Sequence, residues 1–275
     1  MSFLDDVRRS KHPVVIGMLH VPALPGSPGG GVAEVGAIRE HVLRDAGRLA
    51  EAGVDAMMIE NFGDIPFFPG RVGAETVAYL TMLAFAVRTA WPKIPLGINV
   101  LRNDGMAAVA VAHATGAAFV RINVLCGARV TDQGVIQGIA QDVLRLRKTL
   151  GVGGVEILAD VDVKHSAPLG PGRTIEVEVD DLVHRALADG LIVSGTGTGK
   201  ATDPGKVAVV KAAAGKNVPV FVGSGASEVN LGELAVHADG FIVGTSLKEG
   251  GISTAPVETA RVSRFVAAAR AIRRH

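Results

Sequence analysis

The stretch Val-Glu-Ile-Leu-Ala-Asp-Val-Asp-Val-Lys-His-Ser, residues 155–166, has two opposite faces when it is extended. Its odd positions from 157 to 163 are all apolar, whereas Asp160, Asp162 and Lys164 occupy even positions. Because successive side chains of a strand point to opposite faces, one face is apolar and the other carries two carboxylates and an ammonium. Strands of a helix-covered parallel sheet are usually apolar on both faces, so this polar face requires an explanation.

Around this stretch, short apolar runs of strand length alternate with segments of helical period. Ile38, Val42, Ala46 and Leu49, for example, mark one face of a helix after the first run. Asp203-Pro204 predicts the capped start of another helix. The predicted strands are Val14–Leu19, Asp55–Glu60, Pro95–Val100, Ala117–Val124, the opening stretch, Gly190–Ser194, Val218–Val222 and Asp239–Val243.

Eight strand–helix units are the number that closes a (β/α)8 TIM barrel, which usually has about 250 residues. The chain has 275 residues, and no break in composition separates the units. An open doubly wound sheet is the alternative, but the regular alternation up to the last helix favours closure. We therefore predict an α/β fold with a single (β/α)8 barrel domain over residues 1–275.

Charge and cysteine content limit the partners and the compartment. The formal net charge is +1, so no bulk attraction to nucleic acid or to an anionic membrane is expected. Cys126 is the only cysteine, which excludes an intrachain disulfide and suits a reducing compartment. No apolar stretch approaches the roughly 18 residues of a spanning helix. We predict a cytoplasmic homo-oligomer without membrane insertion, in which loops Phe62–Gly70 and Leu125–Gln137 are lids or subunit contacts.

Polar residues end several of the predicted strands. Catalytic groups of TIM barrels lie at the C-terminal ends of the strands and on the loops that follow, so these residues predict a polar site at the barrel mouth. A purely structural ion pair between Asp160 and Arg121 is an alternative, although burying so many charges without a use would be costly. The candidate catalytic residues are Asp160, Asp162, Lys164, His165, Glu60 and His20. The candidate substrate-binding residues are Asn61, Asn99, Arg121, Asn123, Ser194 and Thr196.

Glycine-rich segments follow the seventh and eighth predicted strands. Loops at these positions of a barrel often bind phosphate, and glycine lets the backbone approach the anion. Tight turns without a ligand are the alternative. We predict a small phosphorylated metabolite as the ligand of these loops. The candidate phosphate-binding residues are Gly223, Ser224, Gly225, Gly244, Thr245 and Ser246.

The segment Ser194–Lys200 resembles a nucleotide-binding motif but lacks its defining residues. The Walker pattern requires Gly and Ser/Thr where Ser194 and Ala201 stand, and the dinucleotide pattern requires Gly at Lys200. We interpret the segment as a loop whose hydroxyls and Lys200 close over an anionic ligand. The chain contains no zinc-ligand spacing. A hard divalent ion such as Mg²⁺ could use Asp160 and Asp162, but two carboxylates beside a lysine predict it only weakly.

Several segments, in order, carry a resemblance to a known family over nearly the whole chain. They are Val15–His20 with Leu24–Pro28, Ile59–Phe67, Gly97–Val100, Ala159–Ser166 and Ser194–Gly199. These segments are similar to signature sequences of the BtpA/SgcQ family. The resemblance implies a ribulose-phosphate-binding-type barrel. It also implies a link to photosystem I biogenesis, to sugar utilisation or to nucleotide hydrolysis.

Three functional hypotheses follow. The first is an enzyme that isomerises, epimerises or cleaves a sugar phosphate, because carboxylates can move protons and a nearby lysine can polarise a carbonyl or form a Schiff base. The second is a non-catalytic assembly factor of the photosystem I biogenesis type, which the resemblance alone suggests. The third is a nucleotide or nucleoside-phosphate hydrolase, which needs a metal and a base.

Overall fold

The computed structural model describes residues 2–30, 35–170, 173–195, 197 and 200–274. The strands, in chain order, are β1 (Val14–His20), β2 (Ala56–Glu60), β3 (Leu96–Asn99), β4 (Phe119–Ile122), β5 (Ala128–Thr131), β6 (Gly134–Gln137), β7 (Glu156–Val161), β8 (Ser166–Pro168), β9 (Gly190–Val193), β10 (Val220–Val222) and β11 (Gly240–Val243). All except β5, β6 and β8 form one closed barrel of eight parallel strands, in chain order around the ring. The predicted (β/α)8 TIM-barrel fold is confirmed.

Helices connect the barrel strands and surround them. They are α1 (Phe3–Arg9), α2 (Val35–Glu51), α3 (Ala74–Ala90), α4 (Gly105–Thr115), α5 (Ala140–Thr149), α6 (Ile175–Asp180), α7 (Pro204–Ala214), α8 (Leu231–Leu234) and α9 (Thr259–Ala271). The predicted cap of α7 is confirmed, since the Asp203 carboxylate accepts from the backbone N–H of Gly205 at 2.9 Å. Ser227, four residues before α8, does not cap that helix, because its hydroxyl and its N–H donate to the Asn230 side chain. No helix within the described ranges is long and apolar enough to cross a membrane.

Alternate side chains of each strand face the barrel interior or the helices. In β7, Leu158 belongs to the interior cluster, while Ile157 and Ala159 pack in the outer core beneath the helices. Interior glycines make room for large neighbours: a Cβ on Gly97 would lie 2.2 Å from the Phe119 ring. The alternation predicted from the opening stretch is therefore confirmed up to the end of β7.

Helix α1 closes the N-terminal end of the barrel. Phe3 stacks on Phe119 with ring centroids 4.6 Å apart. The Glu156 carboxylate accepts from the backbone N–H of Leu4 at 2.9 Å. Burial raises the pKa of Glu156, and the hydrogen bonds from the start of α1 oppose that shift. The buried carboxylate of Glu156 and the rings of Phe3 and Phe119 therefore have partners within the chain.

A second, smaller sheet lies beside the barrel mouth, where we predicted only loops. Strands β5 and β6 form an antiparallel hairpin, and β8 pairs with the other side of β5. These strands have only three or four residues each, which is too short for hydrophobic alternation to distinguish them from loop. The small sheet sets the path of the chain before and after β7.

Candidate functional site

One cleft with two lobes opens at the C-terminal mouth of the barrel. Glu60, Phe62, Arg121 and Lys164 line both lobes and therefore form its centre. The smaller lobe has a volume of about 40 Å³ and lies against the loops after β10 and β11. The larger lobe, of about 640 Å³, extends over the loops after β2 and β3. The two lobes thus share their central residues but are lined by different loops.

The smaller lobe contains all six residues predicted to bind phosphate: Gly223, Ser224, Gly225, Gly244, Thr245 and Ser246. Two of its glycines have no room for a side chain. A Cβ on Gly225, which has φ +71°, would lie 1.9 Å from the carbonyl oxygen of Lys200, and a Cβ on Gly223 would lie 2.3 Å from the Ile192 side chain. The structure therefore brings these residues together, and their role as phosphate ligands stays a prediction.

Hydroxyl groups connect the loops of the smaller lobe. Ser246 Oγ donates to the carbonyl of Ala226 at 2.5 Å, which joins the loop after β11 to the loop after β10. Thr245 Oγ1 and Ser253 Oγ lie 2.8 Å apart. These contacts hold the glycine-rich backbone segments close together, as a small anion would require.

The floor of the cleft is a buried ion pair between β4 and β7. Arg121 donates to both carboxylate oxygens of Asp160, from Nε at 2.9 Å and from Nη2 at 2.8 Å. Asn123 Nδ2 donates to the same carboxylate at 2.7 Å, and Ser194 Oγ lies within 3.4 Å of it. Burial would lower the pKa of Arg121, but the Asp160 carboxylate outweighs it and the pKa is raised. Asp160 therefore holds Arg121 in position, which was the structural alternative for this pair.

Lys164 lies in the centre of the cleft. Burial is the main cause that lowers the pKa of its ammonium, and the positive charge of Arg121 adds to the effect. The carboxylates of Glu60 and Asp160 act in the opposite direction. A lysine with a lowered pKa has a larger share of neutral amine at neutral pH, which is the form that attacks a carbonyl.

Glu60 and His20 end neighbouring strands on the same side of the cleft. His20 is buried, its Nδ1 lies 3.0 Å from the carbonyl oxygen of Ser253, and its ring stacks on Phe62. Burial lowers the pKa of His20 to about 3, so the ring is neutral at physiological pH. Because a carbonyl oxygen can only accept, Nδ1 carries the proton and Nε2 is a hydrogen-bond acceptor.

Asp162 does not share the cleft with Asp160, so its predicted position is wrong. Strand β7 ends at Val161, and Asp162 has φ +48°, which turns its side chain away from the mouth. Its carboxylate instead pairs with Lys206 Nζ at 2.6 Å and with Arg129. Burial would raise the pKa of Asp162, but Lys206 and Arg129 lower it. The paired carboxylates suggested for a divalent ion are therefore not brought together.

The other predicted residues divide between the cleft and the framework around it. Asn123 and His165 line the larger lobe. Asn61 is buried between the loops that follow β2 and β3, where its Oδ1 accepts from the N–H of Leu101 at 2.7 Å. Asn99 is also buried and donates to the carbonyl of Arg121 at 3.1 Å. Thr196 lies outside the described residues.

One wall of the larger lobe comes from residues that were not among the predicted site residues. They are Phe62, Ile65, Pro66, Phe67, Leu101, Arg102, Asp132 and Gln133, most of which lie in the two loops predicted as lids or subunit contacts. A signal was present in the second loop, where residues 62–68 contain three phenylalanines, although loops are usually polar. Arg102 carried no such signal, because nothing in the sequence shows that a charged loop residue is buried.

Comparisons with known proteins agree with the fold and identify relatives. An uncharacterized protein of Thermococcus kodakarensis is 46% identical over 259 residues, which cover 94% of this chain and 96% of that protein. The photosystem I biogenesis protein BtpA of Synechocystis is 42% identical over 257 residues, which cover 94% of this chain and 88% of that protein.

Solved structures with low sequence identity share the barrel. The native KDPGal structure matches with a TM-score of 0.59, 16% identity and 98% coverage of both chains. N-(5'-phosphoribosyl)anthranilate isomerase from Pyrococcus furiosus matches with a TM-score of 0.55 and 14% identity, covering 95% of this chain and 100% of that chain. At these identities the matches show the fold alone. The sequence model of the BtpA family, in contrast, matches residues 11–271, so the chain belongs to the BtpA family.

Proposed function

We propose that the chain is an enzyme that acts on a small phosphorylated metabolite of the sugar-phosphate class, by isomerisation, epimerisation or retro-aldol cleavage. One observation carries the proposal: a single cleft combines the Lys164 amine, the Glu60 carboxylate and the neutral His20 ring with two glycine-rich loops. A barrel of similar fold, the phosphoribosylanthranilate isomerase, acts on a phosphorylated compound, which supports this substrate class.

The smaller lobe would bind the phosphate. Gly223 and Gly225 let the backbone come close to the anion, and Thr245 adds a hydroxyl group at the opposite side. Ser246 would contribute by holding the two loops together, since its hydroxyl donates to the carbonyl of Ala226. The guanidinium of Arg121, which Asp160 holds in position, lines the floor of the same lobe. Because this lobe is small, the rest of the substrate would extend across Lys164 towards the larger lobe.

Lys164 and Glu60 would perform the chemistry on a carbonyl compound. In a retro-aldol reaction, the Lys164 amine forms a C–N bond to the carbonyl carbon and water leaves, which yields an iminium. Glu60 then takes the proton of the β-hydroxyl, the C–C bond breaks, and its electron pair moves to the iminium to form an enamine. In an isomerisation, Glu60 would instead remove the proton α to the carbonyl. His20 Nε2 would accept a hydrogen bond from a substrate hydroxyl.

Borohydride trapping tests the Schiff-base route. The native chain is incubated with a panel of ketose and aldose phosphates, reduced, and digested for mass spectrometry. We expect at least one sugar phosphate of the panel to form an adduct, whose reduced mass is added to the peptide that contains Lys164. Lys164→Met should lose the adduct, whereas Lys216→Met, which changes an exposed lysine away from the cleft, should keep it.

The isomerase route is tested on the same panel in D₂O. Exchange of a substrate C–H proton with solvent, followed by NMR, indicates proton removal by the enzyme. Glu60→Gln should reduce this exchange by about 10²-fold or more, as expected for loss of a general base. A panel with neither adduct nor exchange would contradict the proposed function.

A further inference from the structure

Arg102 is a buried charged residue that the proposed reaction does not use. It follows β3, and its backbone N–H donates to the carbonyl of Phe68 at 3.1 Å. The residue is only 4% exposed, yet it lines the larger lobe of the cleft. Its Nη2 donates to the carbonyl oxygen of Lys164 at 2.5 Å. The remaining N–H groups of the guanidinium make no hydrogen bond to any residue in the described part of the chain.

The charge of Arg102 has no carboxylate in direct contact. Among the described residues, no carboxylate oxygen lies within 4.0 Å of its guanidinium. Asp160, Glu60 and Asp132 influence it from a longer distance, and Asp160 is already bonded to Arg121 through both oxygens. Burying a guanidinium without a paired anion is unfavourable, because the ion loses water and gains no counter-charge. An anionic ligand at this position would complete the pair.

The surroundings of Arg102 favour an ionic ligand. Phe62, Phe67 and Leu101 form an apolar wall of the same lobe. Such a wall excludes water and strengthens an electrostatic contact between a ligand and the guanidinium. Arg121 and Lys164 line both lobes, whereas Arg102 lines the larger one. Arg102 therefore lies outside the lobe of the glycine-rich loops and beside the central Lys164.

We propose that Arg102 binds a second anionic group of the substrate, a carboxylate or a second phosphate, in the larger lobe of the cleft. The inference rests on the proposed function and makes its substrate class narrower: a phosphorylated compound with a second oxyanion. The planar fork of the guanidinium matches either group through two parallel hydrogen bonds.

Calorimetric titration of the full chain tests this assignment with matched pairs of probes. Glucose 6-phosphate is compared with 6-phosphogluconate, which adds a carboxylate, and fructose 6-phosphate with fructose 1,6-bisphosphate, which adds a phosphate. We expect the second anion to tighten the Kd by about 10-fold or more in at least one pair, since hydrogen bonds to charged groups contribute that much. The pair that responds identifies the anion.

Arg102→Gln should abolish this preference and leave the Kd of the monophosphates within about twofold. The control Arg145→Gln removes the same charge from the exposed face of α5 and should keep the preference. The Tm of Arg102→Gln without ligand should equal or exceed that of the native chain, because an uncompensated buried charge is removed.

Three results overturn the role of Arg102, and the first two concern the preference for a second anion. One is the absence of any preference for a second anion in the native chain, and the other is a preference that survives in Arg102→Gln. A variant that loses Tm and monophosphate binding together would also overturn it, since Arg102 would then be structural. Failure of the proposed function gives a different result, in which the monophosphates do not bind to the native chain. If 6-phosphogluconate or fructose 1,6-bisphosphate still binds, and this binding requires Arg102, the second anion site is supported all the same.

Discussion

The two ends of the barrel treat buried charge in different ways. At the N-terminal end, the carboxylate of Glu156 accepts a hydrogen bond from the start of α1, and the stacked rings of Phe3 and Phe119 cover the opening. At the C-terminal end, Arg121 and Asp160 form a closed pair, but Arg102 is buried without a direct counter-ion among the described residues.

The difference between the two ends reflects two separate requirements, the stability of the fold and the binding of a ligand. A fold gains stability when each buried polar group has a partner, and Glu156 at the N-terminal end meets that condition. A binding site must leave some groups available for its ligand, at a cost to the stability of the free chain. The C-terminal end combines both arrangements, because a completed ion pair forms the floor on which the more open cleft is built.

Removing one charge at each end should give the largest contrast. Asp160→Asn leaves the buried guanidinium of Arg121 without its carboxylate and should lower the free energy of unfolding by about 3–5 kcal/mol. Glu156→Gln keeps an oxygen that can accept from α1 and leaves no charge unpaired, so we expect a loss of only about 1 kcal/mol. Urea denaturation of both variants measures the difference. Equal losses would show that the two ends do not differ in this way.

Acid should lower the stability of the folded chain through His20, by an amount similar to the effect of Asp160→Asn. The pKa of His20 is about 3 in the folded chain and about 6.5 in the unfolded chain. The unfolded state therefore binds a proton first as the pH falls, so stability is lost progressively from about pH 6.5 to about pH 3. The loss over this window would be on the order of 4 kcal/mol.

His20→Gln should remove this part of the pH dependence, because glutamine does not titrate. The free energy of unfolding, measured by urea denaturation at several pH values, compares the variant with the native chain. His113→Gln, in the last turn of α4 and outside the cleft, serves as the control and should keep the native slope. An unchanged slope in His20→Gln would contradict the assignment of a buried neutral ring.

Asp162→Asn should have the smallest effect. The side chain is 41% exposed, so solvent screens its contacts with Lys206 and Arg129, and the loss of stability should not exceed about 1 kcal/mol. Its carboxylate does not reach the cleft, so the Kd for a sugar phosphate should stay within about twofold of the native value. A large loss of binding would instead indicate that the turn at Asp162 controls the position of Lys164.

The sequence was most informative where regular structure continued. The alternation of side chains along β7 correctly placed Asp160 inside the barrel. The glycine-rich segments after the last two strands were also correctly predicted to lie together, and they form one lobe of the cleft. The same alternation gave the wrong position for Asp162, because it ends with the strand at Val161. It also missed Arg102, since burial of a loop residue depends on the neighbouring loops that cover it.

The sequence by itself determined the barrel, because the number and period of its apolar segments allow few other ways to bury them. It also determined which strands end in polar residues. Only the tertiary structure decided which of those residues meet, since ion pairs and loop paths depend on contacts between distant segments. Asp160 and Asp162, two positions apart in one apolar–polar pattern, show this: one completes the floor of the cleft, and the other is drawn outside it by Arg129 and Lys206.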